Sequence, residues 1–378
     1  MSERLIIKNF GPIKDFDLEL KRFTVLIGEQ ATGKSTVAKL LAVCRYFSYI
    51  ALGGFEDGLI NWGLTDSLKE NSKLVYSNSD FEIKFEAGND ISGGETKGFR
   101  LQGKSEAFKS IQNSSTSYNF KHISPPTAFF LNEVSKVMDN PFFFPVERGL
   151  QSIFSLGKSS IQNISDSLFN QLARMDQVAR QFSNEVYIEP LGIFYKNENG
   201  RGFIRKKGDE KYYSLFNAAS GYQSAIPIAL AIKYYHNFRK KAKTFIIEEP
   251  ELDLFPDTQK EIVYYLASEM NGNAYGGKKS SVLMTTHSPY ILTSMNNLIE
   301  AYNIGHKKKH TVEVEKVISR EHWINPDDVS VYMLKPDGTC ENIMDAKEKI
   351  IHAERIDGVS AKLNEEFDAL LNIAYSKK

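Results

Sequence analysis

Gly28-Glu29-Gln30-Ala31-Thr32-Gly33-Lys34-Ser35 restricts the fold of this chain more than any other stretch, because it matches the spacing GxxxxGK[ST] between a strand and a helix. The apolar run FTVLI at 23–27 reads as the strand. KSTVAKLLAVCRYFSYIA, without Pro or Gly, reads as the helix. In a strand, glycine-bounded loop and helix of this kind, successive backbone N–H groups and the helix N-terminus form a nest for phosphate oxygens. Lys34 then brings a point charge to the β- and γ-phosphates, and the Ser35 hydroxyl stands where a Mg2+ ligand is needed. Thr36 adds a hydroxyl near the α-phosphate. The plainer alternative is a loop of the same form that no longer binds.

The rest of the chain is organised around that unit. Residues 4–8 (RLIIK) and 16–20 (FDLEL) read as two further strands separated by the turn-prone NFGPIKD. From 53 to 130 the periodicity weakens among Gly, Ser and Asn, although FEIKFEA alternates like a strand. FFF at 142–144 fits a buried strand ending at Pro145. Ser165 can cap a helix with Leu168, Leu172, Met175, Val178 and Phe182 on one face, and Asn199-Gly200 favours a hairpin turn. SGYQSAIPIALAIKYYHNF is a helix. TFIIE and SVLMTT are continuous apolar strands, which together with the intervening helices indicate a parallel sheet covered on both faces. TVEVEKVIS near 311–319 alternates as a strand would, VSVYMLKPDGT reads as a hairpin arm, and SAKLNEEFDALLNIAY as an amphipathic closing helix. A length of 378 residues suits two or three domains, or one large α/β core with an insertion. The division expected is a discontinuous core of 1–50 and 187–340, an insertion at 51–186 and a helical closing segment at 341–378.

Three more motifs carry chemistry. The strand of 244–248 delivers the adjacent carboxylates Glu248 and Glu249 to its C-terminal end, the edge where ligands bind in open α/β sheets. Glu248 would hold Mg2+ through water and Glu249 would act as general base on the attacking water. Ser220-Gly221-Tyr222-Gln223-Ser224 opens a helix; taken alone it is an ordinary N-cap. Thr285-Thr286-His287-Ser288-Pro289 ends the next apolar strand and sets an imidazole where a γ-phosphate could be sensed.

In this order, GEQATGKST, SGYQS, FIIEEPELDLFP and TTHSP resemble the Walker A, signature, Walker B with D-loop, and His-switch of the ABC-type ATPases. The EEPE…LFP and THSP forms, with IIKNFGPIKDFDLEL and Phe144-Pro145-Val146-Glu147-Arg148, are similar to the branch of the OLD (overcoming lysogenization defect) ATPases and RecF. The resemblance implies a P-loop NTPase head of the α/β class, with a mainly parallel sheet, an antiparallel N-terminal β-subdomain and a helical or irregular insertion. It implies ATP and Mg2+ as cofactors and a head-to-tail homodimer or higher oligomer. There, Ser220, Gly221 and Gln223 of one subunit contact the nucleotide held by Gly28–Thr36 of the other, and Asp253 lies at the interface. Catalysis falls to Glu249, His287 and Lys34, and the metal to Ser35 and Glu248. This chain departs from the pattern in having Glu248 for the usual Asp and Gln30-Ala31 for the commoner Asn-Gly, which gives the loop less backbone freedom. The Q-loop glutamine is open between Gln151 and a basic alternative, Arg148.

Composition narrows the partners. With 47 Lys+Arg against 47 Asp+Glu the chain is no whole-surface polyanion coat, although a local groove stays open. Arg205-Lys206-Lys207, Arg239-Lys240-Lys241 with Lys243, and Lys307-Lys308-Lys309 are the basic clusters, each more often a solvated loop or helix end. Cys44 and Cys340 fit no metal or redox spacing. The N-terminus lacks a signal-peptide run and no stretch is long enough to span a bilayer, so a cytoplasmic protein without a membrane partner is expected. No heptads persist as SMC-type coiled coils require, and too few residues follow His287 for a complete Toprim nuclease. The reading that results is a slow ATPase switch, the sensor or scaffold of an anti-phage system whose effector, a nuclease or toxin, is a separate protein. The alternative is a RecF-like DNA-binding ATPase of repair or recombination. A transporter subunit and a binding-competent but hydrolytically slow scaffold rank behind these.

Overall fold

The computed structural model describes residues 3–46, 54–87, 99–106, 109, 140–154, 164–272, 274–307, 310–352 and 365–368. Most of the expected closing helix and the stretches 88–98 and 110–139 of the expected insertion lie outside the described residues.

β1 (Glu3–Phe10) and β2 (Ile13–Leu20) alternate buried apolar side chains with exposed polar ones, so they pair as a hairpin with one wet face. Leu5 stands opposite Leu18 and Ile7 opposite Phe16. β3 (Phe23–Gly28) is buried at every position from Phe23 to Ile27, which demands cover on both faces. α1 (Lys34–Arg45) and α2 (Phe55–Asn61) come next. β4 (Lys73–Ser77), β5 (Phe81–Glu86) and β6 (Arg100–Gly103) then extend the hairpin into an antiparallel sheet of order β2-β1-β4-β5-β6. Strand pairing therefore runs across residue 51, because β4 is hydrogen-bonded to β1.

β7 (Phe142–Phe144) is wholly buried, and α3 (Gln151–Phe154) comes soon after it. α4 (Asp166–Ala179) starts at Ser165, whose side chain accepts from the Leu168 N–H at 3.3 Å. β8 (Val186–Ile188), β9 (Ile193–Glu198), β10 (Arg201–Lys206) and β11 (Tyr213–Ser214) form a second antiparallel sheet. Its central hairpin turns through Asn199 and Gly200 at φ +52° and +82°, as a two-residue turn of the favoured hand requires. α5 (Ser220–Lys233) runs into a π-helical turn at Tyr234–Phe238, and β12 (Thr244–Glu248), α6 (Pro256–Asn271), β13 (Ser281–Thr286) and α7 (Pro289–Gly305) alternate after it. α8 (Thr311–Val317), β14 (Val329–Leu334) and β15 (Cys340–Asn342) follow.

The strand expected at TVEVEKVIS is α8. Its half-buried residues are Thr311, Val314 and Ile318, spaced by three and four as on one helix face, whereas Val312 and Val317 are exposed. The hairpin arm at 329–334 holds: β14 pairs antiparallel with β15, and on its other edge parallel with β3.

The central sheet has the order β15-β14-β3-β13-β12-β7, parallel except for β15. Successive residues of each strand serve opposite faces. Phe245 and Ile247 join Val25, Ile27, Phe142, Phe144, Val282 and Met284 in a layer under α4 to α7. Ile246 joins Leu26, Phe143, Leu283 and Tyr332 in a second layer that α1 and the N-terminal sheet cover. Among the described residues no helix is long and apolar enough to cross a membrane.

Gly305, the last residue of α7, lies against the Trp323 ring so closely that a Cβ would meet its Cζ2 atom at 2.9 Å and two further ring atoms nearer still. Gly305→Ala is therefore expected to destabilise the chain by about 1–3 kcal/mol through overpacking, measured as a lowered denaturant midpoint with unchanged slope.

Candidate functional site

The loop between β3 and α1 is fixed by close approaches that its sequence anticipates. A Cβ on Gly28 would collide with the Leu334 carbonyl of the neighbouring β14, so the first glycine is needed for backbone proximity. Gly33 stands at the N-cap of α1 with φ +101°, and a Cβ there would press on Ile13 and Pro12 of the β1–β2 turn. Ala31, where a glycine is commoner, has φ +61°, a left-handed conformation that a side chain makes costly. Thr32 Oγ1 donates to the Glu29 carbonyl at 2.9 Å and braces the loop from inside. Lys34 is buried, and its ammonium donates to the carbonyls of Gly28 at 2.9 Å and Glu29 at 2.7 Å. Burial draws its pKa below the ordinary lysine value, opposed by the carboxylates of Glu249 and Glu251. Glu29, Gln30, Ala31 and Ser35 face solvent, and Thr36 is half-buried.

Two strands away, β12 ends at Glu248, which is only 2% exposed. The Ser35 hydroxyl lies near its carboxyl and favours the charged form, while one oxygen, Oε1, is buried without a partner. Burial pushes its pKa above the usual carboxylate range. A hydroxyl and an orphaned anionic oxygen suit a hard cation, and Mg2+ commonly takes one or two protein oxygens, completing its shell from phosphate and water. Ser35 and Glu248 thus fit the ion that the loop chemistry implies.

Glu249 begins the next turn at φ +46°, its N–H donating to the Thr285 carbonyl at 2.9 Å. Its carboxylate Oε1 lies 3.5 Å from His287 Nε2, with both side chains about one-third exposed. The structure therefore brings Lys34, Ser35, Glu248, Glu249 and His287 to one edge of the sheet. It adds Glu251, to which the motif pattern alone assigns no role. Glu251 Oε1 accepts from Thr286 Oγ1 at 2.6 Å and from the His287 N–H at 2.8 Å, tying the turn after β12 to the histidine. Its Oε2 is buried without a partner, and burial raises its pKa. The signal lay in the EEPE spacing, which puts a third carboxylate within reach of the neighbouring strand end.

Among the described residues no hydrogen bond links the segment 220–223 to the loop of 28–36. Ala219 stands at the N-cap of α5, so the exposed Ser220 is the first helical residue and not the cap that the sequence suggested. Gly221 packs on the turn carrying Asp253, itself at φ +60°; a Cβ on Gly221 would meet the Asp253 carbonyl at 2.8 Å. The Gln223 side chain, expected on the nucleotide of a second copy, makes hydrogen bonds within its own chain. Its Nε2 donates to the carbonyls of Phe216 at 3.0 Å and Ala218 at 2.9 Å, and its Oε1 accepts from Ser152 Oγ. Gln151 is buried beside a cavity with Ser152, Tyr195 and Phe216. Arg148, the basic alternative, is fully buried and aimed at backbone carbonyls.

A parallel sheet whose carboxyl edge carries a glycine loop, a lysine and paired acids defines a P-loop ATPase head. A family model described as AAA ATPase domain matches residues 1–92 and 101–292, and the chain belongs to that family. Among solved structures, it is similar to the SMC head domain from Thermotoga maritima at 12% identity, covering 78% of this chain and 92% of that one with a TM-score of 0.41. It is similar also to an Smc head bound to the C-winged helix domain of ScpA, at 12% identity, 92% and 99% coverage and a TM-score of 0.48. A third is an Smc head with an extended coiled coil bound to the C-terminal domain of ScpA, derived from Pyrococcus furiosus, at 11%, 97% and 98%, and 0.45. No curated protein matches the chain.

Because Ala31 is exposed and left-handed, Ala31→Gly is expected to stabilise the nucleotide-free chain by about 0.5–1 kcal/mol, read from thermal or chemical unfolding. A lower stability would remove the strain argued for this loop.

Proposed function

We propose that the chain is a slow ATP-hydrolysing switch that dimerises head-to-tail through its nucleotide sites. The observation that carries this is the meeting, at one sheet edge, of the lysine and serine of the phosphate loop with Glu248, Glu249 and His287. Backbone N–H groups of Gly28–Thr36 cradle the phosphates. The Lys34 ammonium now satisfies two loop carbonyls, so phosphate entry exchanges those bonds for charge-assisted ones. Ser35 and Glu248 would hold a Mg2+, which would supply charge neutralisation on the phosphate oxygens. Glu249 accepts a proton from the attacking water, and His287, beside it, contacts the γ-phosphate.

Ser220 and Gly221 serve the nucleotide of a second copy. Support for this comes from the exposed Ser220, free of capping duty, and from exposed Phe255 and Tyr290, which flank the D-loop and the histidine turn. Gln223 holds the backbone leading into α5. The motif resemblance to OLD and RecF supports a place as sensor or scaffold of a prokaryotic defence system, in the cytoplasm, with a separately encoded effector. The same reading divides the chain into a core of 1–50 and 187–340, an insertion whose strands β4 and β7 join the sheets of that core, and a closing segment.

A RecF-like DNA-binding ATPase is the second reading, and one surface favours it. On the β8–β11 sheet Arg205 lies over Phe194 at 4.1 Å and Lys196 over Tyr212 at 3.9 Å, and Tyr213 is exposed. Basic groups alternating with aromatic faces suit a single strand. Against it, Glu185 already pairs with Arg205.

Lys34→Ala is expected to abolish nucleotide binding, measured by titration of a fluorescent ATP analogue; retained affinity would refute the loop assignment. Glu249→Gln is expected to retain ATP and accumulate as a dimer in size-exclusion chromatography, with turnover lowered by roughly 10²–10⁴-fold. Undiminished turnover would place the general base elsewhere. For the second reading, filter binding to single-stranded DNA from low to moderate salt should show affinity falling steeply as phosphate contacts are lost, and no binding at low salt removes it.

A further inference from the structure

Arg148 is 0% exposed and, among the described residues, makes no hydrogen bond to a carboxylate. Its partners are four carbonyls on three segments. Nη1 donates to Pro145 at 3.2 Å, after β7, and to Glu248 at 2.6 Å; Nη2 donates to Glu249 at 2.6 Å; Nε donates to Ser224 at 3.0 Å, in the first turns of α5. A planar fork of fixed geometry holds three backbones to one another as no flexible ammonium can. Burial lowers its pKa to about 10, against the pull of Glu251, Glu248, Glu249 and Asp253.

Both ends of this clamp matter to the site. Glu249 keeps a left-handed backbone that a glutamate adopts only when its surroundings impose it. Its N–H is held by Thr285 and its carbonyl by Arg148, and these two bonds aim its side chain. At the other end, Pro227 inside α5 has no N–H, so the helix ladder cannot satisfy the Gln223 carbonyl. The start of α5 relies correspondingly more on side chains: Arg148 on the Ser224 carbonyl and Gln223 on those of Phe216 and Ala218.

We propose that Arg148 is a positioning residue that aims Glu249 at the attacking water and locks that aim to the placement of the Ser220-Gly221 helix start. The proposal rests on the hydrolytic reading above. Movement of α5 when a second copy engages would pass through one guanidinium to the carboxylate of the same chain.

The test compares the full chain with Arg148→Lys, Glu249→Gln and the double variant, measuring kcat and KM for ATP hydrolysis and the Kd of a fluorescent ATP analogue. Arg148→Lys should lower kcat about 10–100-fold while Kd stays within about threefold, because only the aim of the carboxylate is lost. In the Glu249→Gln background it should lower the residual rate no further. An equal factor in both backgrounds, a wild-type kcat, or a loss confined to nucleotide affinity overturns the proposal. Should Arg148→Lys melt below the assay temperature, hydrogen exchange on the wild type decides. Amides of Glu249 and Glu251 and those of 224–226 and Ile228 should slow together on addition of ATP and Mg2+, and slowing in one segment alone overturns it. A wild type without turnover overturns the hydrolytic reading together with this one; wild-type turnover that Arg148→Lys leaves intact overturns this one alone.

Discussion

Three strands running the same way decide where this chain can do chemistry. β3, β13 and β12 are adjacent and parallel, with Leu26 beside Thr285 and Thr285 beside Glu248. Parallel strands end at the same edge, so the segments leaving their C-terminal ends must gather there. The glycine loop leaves β3, the paired acids end β12, and His287 comes directly after β13. Residues more than 250 positions apart in sequence, such as Lys34 and His287, come to one edge without any long-range pairing of their own. The cost falls on the strands, which must be apolar on both faces and covered by helices on one side and by α1 with the N-terminal sheet on the other.

The parts legible in the sequence are those in which local pattern and tertiary role coincide. Continuous apolar runs marked β3, β12 and β13 because burial on both faces leaves no room for polar alternation. Asn199-Gly200 marked its hairpin because the turn needs positive φ at both positions. TVEVEKVIS misled because alternation over a few residues also fits a short surface helix with apolar residues three and four apart; exposure of Val312 and Val317 shows which period counts. The pairing of β4 to β1 was out of reach, since nothing in Lys73–Ser77 names its partner. Motif residues were read by spacing. Arg148 and Glu251 were not given their contacts, because each acts by hydrogen-bonding backbone of another segment, and no local pattern reports that.

The edge so assembled leaves polar groups incompletely satisfied. Glu248 Oε1 and Glu251 Oε2 are buried without hydrogen bonds, and burial raises the pKa of both carboxyls. Buried polar atoms are normally paired, and leaving one unpaired costs about 1–3 kcal/mol. Ala31, Glu249 and Asp253 add left-handed backbones at positions without glycine. Such strain persists only where surrounding structure imposes it, and here it sits in the loop and turns that flank the sheet edge. A cation at Glu248 would satisfy the orphaned oxygen, so ligand binding relieves a cost already built into the fold.

Glu248 in place of an aspartate is understandable on the same terms. The longer side chain reaches from a fully buried strand end to the Ser35 hydroxyl at the start of α1, joining the acidic strand to the phosphate loop. Lys34, meanwhile, is held back on the Gly28 and Glu29 carbonyls, with the carboxylates of Glu249 and Glu251 close enough to favour its charge. Opposite charges are thus kept a short distance apart, and neither is paired directly with the other. A polyphosphate with its cation is the kind of ligand that would complete both: its oxygens would replace the loop carbonyls at Lys34, and its cation would take the free carboxylate oxygen. The balanced charge of the whole chain, 47 against 47, therefore says little about its affinity for a polyanion. On the function proposed above, affinity would be set by a single lysine, the dipoles of one loop and one buried glutamate, whose combined effect depends on where the parallel strands end.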